Sequence, residues 1–456
     1  MRHTNRRPHR SLIDTNRYSL SRRSLVKGGA GLGLSMASLG ALGAHATAAP
    51  TPAQSLMSRF QDASTVLQLF HDKTNWNDYY NELGELSAKA IGIGIEGVPY
   101  SDTTTYQQAI LSALPTNDVP DIFTWWSGYR MEDLVNEGSL LDLTPLWDAA
   151  VKAGNLPETL AGAYTFDDKQ YAAPNHVSYW PVFYNKTVFD ENGLKVPATW
   201  DDLMAAAETL KGAGVTPFFA TIDGRWPAFI WFEELLIRTD PDFYEALMRG
   251  EKSYTDPTVV EVMETWKSMF DKEYFTALDI PMDADNMGAS FAAGEIAMVP
   301  VGTWSNQTFL DNDLVPNEQY GAFFLPNVNP DLKENVAIFE TGPFCVPANA
   351  ADPDSVNKFL TWWVSPEAQT EWSARLKDVP ANPKAESESP VLSGLTSTLT
   401  DKKYRLIQRY WEATPPQIVE NAVDELGRFM LDPSTYQDVL ETIQQIAQQE
   451  WDKRSG

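Results

Sequence analysis

STVLQLFHDKTNW, residues 64–76, is the stretch from which the fold is read. Val66, Leu67 and Leu69 suit a buried strand, and His71 to Trp76 reads as its exit loop. Asp78 to Ala90 has helical periodicity, and Ile91 to Ile95 is rich in the β-branched residues of a second strand. Thr105 to Leu114 reads as a second helix, and PDIF, Pro120 to Phe123, as a third strand. Strand and helix alternate, which predicts an α/β lobe on a mainly parallel sheet. Directly after PDIF come Trp125 and Trp126, large aromatics where a strand should turn into a loop.

The chain has 456 residues, 43% of them apolar, enough for two lobes with full cores. Its formal net charge is -27, although the segment up to Lys27 is strongly basic. The remainder is therefore more acidic still, which argues against nucleic-acid partners. The basic segment reads SRRSLVK, Ser21 to Lys27, followed by the mild apolar run GGAGLGLSMASLGALGA and then AHATAAP. This resembles a twin-arginine export signal, with cleavage expected after Ala46. Residues 1–46 are then a signal peptide and 47–62 a mobile leader. The expected location is the periplasm. The single cysteine, Cys345, lies far from the signal, so no lipid anchor, disulfide or C-x-x-C site is expected.

Catalytic and metal motifs fit poorly. Gly92, Gly94 and Gly97 match G-x-G-x-x-G, but within a strand and without the helix that a dinucleotide needs. His71 and His176, the histidines outside the export segment, lack metal-ligand spacing. No cofactor and no metal are expected. Glu233-Glu234 and Asp167-Asp168 read as solvated faces or loop ends. Helix starts are clearer: Thr199 with Asp202 forms a capping box, and Asp256-Pro257, Asp352-Pro353 and Ser365-Pro366 place a cap before proline. A last helix is expected from Pro433 to about Lys453, and Glu386 to Ser397 reads as a polar connector.

Aromatic and polar residues recur at loop-like positions. Besides Trp125 and Trp126 there are Asn175, His176, Tyr179 and Trp180 in APNHVSYWPVFYN, Arg225-Trp226 in IDGRWP, and Trp304 in VGTWSNQ. Together they suggest a cleft between lobes.

Several segments match a known pattern in order: PDIF followed by aromatics; DDKQYAAP; YNKTVFDENGLKVPATWDDLMAAAETLK; FAAGEIAMVPVGTW; and ETGPFCVPANAADPDSVNKFLTWWVSPEAQ. From about Ser64 to the last helix the chain resembles the extracellular solute-binding proteins of family 1, the sugar-binding receptors of ABC importers. Where that family often has Gly-Gly before its late strand, this chain has Glu340-Thr341-Gly342. The resemblance implies a two-lobed periplasmic binding protein fold of type II. The N-terminal lobe would hold residues 63–174 and 336–378, the C-terminal lobe 175–335 and 379–456. Crossings are expected near Pro174, Asn329 and Pro380.

The resemblance also implies a receptor, not an enzyme, that closes on a mono- or oligosaccharide and delivers it to ABC transporter permease subunits. A monomer is expected. It carries a ligand role onto Trp125 and Trp304. The residues themselves add Trp126, Tyr129, Asp72, Trp76, Trp180, Arg225, Trp226 and Glu340. Of the two adjacent tryptophans, Trp125 is expected in the cleft and Trp126 packed on the lobe. Tyr184, in the matched segment, is expected to be structural. Two other functions fit a cleft of this kind: a polyamine or polyol receptor, and a secreted glycosidase with paired carboxylates.

Overall fold

The structure is a computed structural model that describes Phe60 and residues 62–455. The expected signal peptide and most of the leader lie outside the described residues. The strands, in chain order, are β1 (Thr65–His71), β2 (Ile93–Pro99), β3 (Ile122–Thr124), β4 (Thr165–Phe166), β5 (Lys169–Gln170) and β6 (Ala172–Tyr179). Then follow β7 (Val182–Asn185), β8 (Thr216–Phe218), β9 (Ile296–Pro300), β10 (Tyr320–Phe323), β11 (Val336–Cys345) and β12 (Arg405–Gln408).

The first sheet runs β12-β11-β3-β1-β2, with β6 also paired to β11. The second runs β10-β7-β9-β8. In the first sheet β1 is parallel to both β2 and β3. The second departs from the expected parallel pairing, because β7 runs antiparallel to both β9 and β10. It enters that sheet directly from β6 of the first sheet, through Trp180-Pro181, rather than through a crossover helix. β11 is the long strand of the first sheet, antiparallel to β6 and β3 and parallel to β12. β12 comes late in the chain yet belongs to the first sheet, after which the chain continues into the helices Pro416–Leu431 and Tyr436–Ser455.

Local signals explain the element boundaries. The first helix, Asn77–Ile91, stops at Gly92, whose φ of 75° is left-handed, so β2 starts later than Ile91. Asp102 caps the helix Thr103–Ala113 by accepting from Thr105 N at 2.7 Å. The Thr199–Asp202 capping box forms in both directions, at 3.1 Å each. Asp256, Asp352 and Ser365 likewise cap helices that begin with proline.

Two expectations change. The segment read as a polar connector contains the start of a helix, Pro390–Asp401, capped by Ser389. Its Val391, Leu392, Leu395 and Leu399 are buried, an apolar spacing hidden among serines and threonines. Glu233 and Glu234 are not solvated; both are buried in the helix Ile230–Thr239. Glu234 pairs with Arg238 at 2.9 Å, one turn on, and Glu233 accepts from Tyr410 N at 2.7 Å. Burial raises the pKa of both carboxyls, Glu234 to about 7.

Candidate functional site

In open α/β sheets, ligands collect beyond the carboxyl ends of strands, where the chain switches sides. β1 is such a point here, because β2 and β3 flank it. Its exit loop supplies Asp72, Lys73 and Trp76, and the loop after β3 supplies Trp125 and Trp126. From the second sheet, the loop after β8 supplies Arg225 and Trp226, and the loop after β9 supplies Trp304. β6 adds His176, β11 adds Glu340, and the residues just past β12 add Arg409 and Trp411.

These side chains enclose a cavity of about 530 Å³ whose wall includes Trp76, Trp126, Trp226, Trp304 and Trp411. An inner chamber of about 110 Å³ adds Trp125, Asn175 and Glu412, and a side chamber of about 300 Å³ adds Ser178, Gln307 and Asp378. Trp76 and His176 border all three. Trp304 meets Trp226 nearly edge-on, with ring centroids 6.1 Å apart. Gly302 makes room for Trp304: a Cβ there would lie 2.3 Å from the indole nitrogen.

The cations of the main cavity are each held by carboxylates. Lys73 lies 3.4 Å from Asp72, Arg130 2.6 Å from Glu420, and Arg225 2.8 Å from Asp424. Arg409 has the densest surroundings. It pairs with Glu340, forks onto Glu412 at 2.9 and 2.5 Å, and lies over the rings of Trp180 and Phe229. Burial works against its charge, but Glu340 and Glu412 outweigh that and hold its pKa above the ordinary value. Burial raises the pKa of the Glu340 carboxyl, and Arg409 opposes the shift. Burial, reinforced by Lys73 and Arg409, lowers His176 to about 3, so its imidazole is neutral near pH 7. Beneath the side chamber, Asp378 accepts hydrogen bonds from the Ser178 and Thr303 hydroxyls and from Val379 N. Its pKa is pushed up to about 7, chiefly by burial.

Of the expected residues, Asp72, Trp76, Trp126, Arg225, Trp226, Trp304 and Glu340 meet at the main cavity. Trp125 borders only the inner chamber. It is 8% exposed and packs on Tyr106 and Phe123, while its neighbour Trp126 is the more open and borders both spaces. Both tryptophans thus border the site, with Trp126, expected to pack on the lobe, the more open of the two. Trp125 turns inward because its indole N–H donates to Arg130 O at 3.1 Å. Trp180 borders none of these spaces; it is 1% exposed, beneath Arg409 and against Trp226. Tyr129 also misses them. It follows Gly128 (φ 66°), packs edge-on against Trp451, and lines a separate cavity of about 390 Å³. Tyr184 packs on Phe189 and Phe323 in the second sheet.

Arg409, Trp411 and Glu412 were not anticipated. Their segment, RYWEATPP, carries the same signal as the others: aromatics between charges, ahead of prolines. A larger cavity, about 620 Å³, lies elsewhere, between Val196–Asp201, the 322–336 segment and Tyr404, and none of the expected residues borders it. Among the described residues, no group of three or more His, Cys, Asp or Glu is placed to hold a metal ion.

The chain belongs to the bacterial extracellular solute-binding protein family, whose model matches residues 83–394. An uncharacterized ABC transporter extracellular-binding protein of Pyrococcus horikoshii is 32% identical over 291 residues, 62% of this chain and 64% of that protein. The match thus spans just under two thirds of that relative's length. The multiple sugar-binding protein of Streptococcus mutans is 23% identical over 317 residues, 65% of this chain and 71% of that protein. Among solved structures, a bacterial solute receptor described as exclusively preferring β-D-galactopyranose superposes with a TM-score of 0.70 at 21% identity. The superposition covers 86% of this chain and 99% of that one. That likeness establishes the two-lobed fold.

Proposed function

We propose that the protein is an exported receptor that closes two lobes on an uncharged carbohydrate and passes it to an ABC import permease, without catalysis. One observation carries this reading. A cavity of about 530 Å³ is walled by tryptophans, and its cations Lys73, Arg130, Arg225 and Arg409 are all carboxylate-paired. A sugar offers C–H faces to aromatic rings and hydroxyls to polar side chains. Covering one ring face contributes about 1–2 kcal/mol at ~25 cal/mol per Å². A micromolar dissociation constant corresponds to about 8 kcal/mol, within reach of a few stacked rings and hydrogen bonds. An anionic ligand would want an unpaired cation and a polyamine an unpaired carboxylate; at the buried base, where charge counts most, Arg409 is already matched by Glu340 and Glu412, which disfavours both. The sugar-binding relative in Streptococcus mutans and the galactopyranose receptor support the same ligand class.

The ligand set in this reading is Asp72, Trp76, Trp126, Arg225, Trp226 and Trp304, with Trp125 at the inner chamber; Glu340 and Arg409 form the base beneath it. The lobes in this reading are residues 63–174 with 336–378, and 175–335 with 379–456, except that two strands overrun these bounds: β6 stays in the first sheet to Tyr179, so the crossing falls at Trp180-Pro181 rather than near Pro174, and β12 returns to the first sheet. SRRSLVK and the apolar run after it support twin-arginine export and cleavage after Ala46, and the lack of a cysteine near that site supports release without a lipid anchor. The mature protein acts as a monomer in the periplasm.

A thermal-shift screen tests the ligand class with neutral mono- and oligosaccharides, sugar phosphates and polyamines, followed by calorimetry. A neutral sugar should raise the melting temperature as its concentration rises. A shift by a polyamine or a sugar phosphate alone overturns the carbohydrate reading, and hydrolysis of an oligosaccharide by purified protein overturns the non-enzymatic one.

A further inference from the structure

Building on the saccharide-receptor reading, we propose that Glu340 is a positioning residue. Its carboxylate fixes the Trp304 indole in the cavity wall, and Arg409 in turn fixes the carboxylate. Glu340 sits within β11 opposite Ser178 of β6, so its backbone is held by the first sheet. Its side chain reaches the cavity base, and the residue is only 8% exposed. One oxygen, Oε1, accepts a hydrogen bond from Trp304 Nε1–H at 2.7 Å. The other, Oε2, pairs with Arg409 Nη1. The remaining nitrogens of Arg409 are committed as well: Nε and Nη2 both donate to Glu412. The guanidinium therefore cannot swing away without breaking a fork and leaving the Trp180 and Phe229 rings.

Two consequences follow for Trp304. Its N–H is occupied, so the indole meets a sugar with its ring face rather than as a donor. Its orientation is also set from outside its own loop: Trp304 follows β9 of the second sheet, whereas Glu340 belongs to the first. Gly302 leaves the space that this orientation needs. An indole free of Glu340 can turn about its side-chain bonds, and a sugar must then fix it at an entropic cost.

The competing role is direct contact between Glu340 and the sugar. The two separate in paired measurements. The first needs no ligand: in protein labelled with ¹⁵N at tryptophan, the Trp304 indole cross-peak is identified by its loss in Trp304→Phe. Glu340→Gln should move that peak upfield in the proton dimension, because a charge-assisted bond is lost. An unmoved peak overturns the proposal.

The second measurement is calorimetry with galactose, raffinose and chitotriose. For any of these that binds, Glu340→Gln should weaken affinity about tenfold in the wild-type background. In the Trp304→Phe background, where no N–H remains to be held, it should change affinity less than about twofold. Equal losses in both backgrounds mean that Glu340 touches the sugar itself and overturn the positioning role. If none of these sugars, nor any in the wider screen, binds the wild type, the saccharide reading falls. The cross-peak then still decides what Glu340 does to Trp304.

Discussion

Two cavities of similar size lie in this molecule, and they are built differently. The one of about 620 Å³ is bordered by prolines, asparagines and apolar side chains, including Pro197, Pro326, Pro330 and Val328. Its asparagines are spent on backbone: Asn327 on Leu332 O and Glu334 O, Asn329 on Thr239 O, Asn335 on Lys402 O. The one of about 530 Å³ gathers strand exits from both sheets, aromatic faces and buried ion pairs. Volume therefore does not single out the site. Convergence of strand exits does: the carboxyl ends of β1, β3, β8 and β9 all present groups to the smaller cavity, whereas the larger one receives the exit of β10 and the entries to β11 and β12.

Substitutions in and away from the smaller cavity test that difference. The largest effect is expected from Arg409→Met, which leaves Glu340 and Glu412 facing each other without their counter-charge. Removing one partner of a buried ion pair costs about 3–5 kcal/mol, to be read by urea unfolding. A loss below about 1 kcal/mol would show that solvent already screens the group. Trp304→Ala comes next: sugar affinity should fall about tenfold or more while the unfolding transition stays cooperative. Normal affinity in that variant would remove Trp304 from the site.

The third test reads pH. Native Asp378, with a pKa of about 7, keeps a proton that the unfolded chain releases near its usual carboxyl value. Its contribution to stability is therefore full below about pH 4 and is lost as pH rises towards 7. Asp378→Asn should flatten the decline in melting temperature between pH 4 and 7, and an unchanged slope would show that Asp378 is ionised throughout. The smallest effect belongs to the other cavity: Val196→Ser, at a residue 44% exposed, should leave sugar affinity unchanged within error. A clear loss there would erase the distinction between the two cavities.

How far the sequence reveals this arrangement depends on the range of the physics involved. Strands β1 to β3, the helices between them and the caps at Thr199, Asp256, Asp352 and Ser365 rest on local pattern and were legible. Trp76, Trp226 and Trp304 stand out in the sequence as large aromatics in loop-like surroundings, and all three border the main cavity. Burial reached through distant partners was not legible. Glu233 Oε2 accepts from Tyr410 N, 177 positions away, and Glu340 and Arg409 meet only because β12 returns to the first sheet. The division of labour between Trp125 and Trp126 turned on a single hydrogen bond to Arg130 O. A helix starting at Pro390 was hidden because serine and threonine outnumber its buried apolar residues.

The pairing of every cation in the main cavity has a consequence outside the cell. Ions in the medium screen interactions between exposed charges beyond roughly 10 Å at ~0.1 M salt, and this chain, at a formal -27, has many such charges. On the proposed reading, a cavity that meets a sugar through ring faces and hydroxyls has little long-range field to screen, so affinity should change little with added salt while the acidic exterior keeps the protein dispersed.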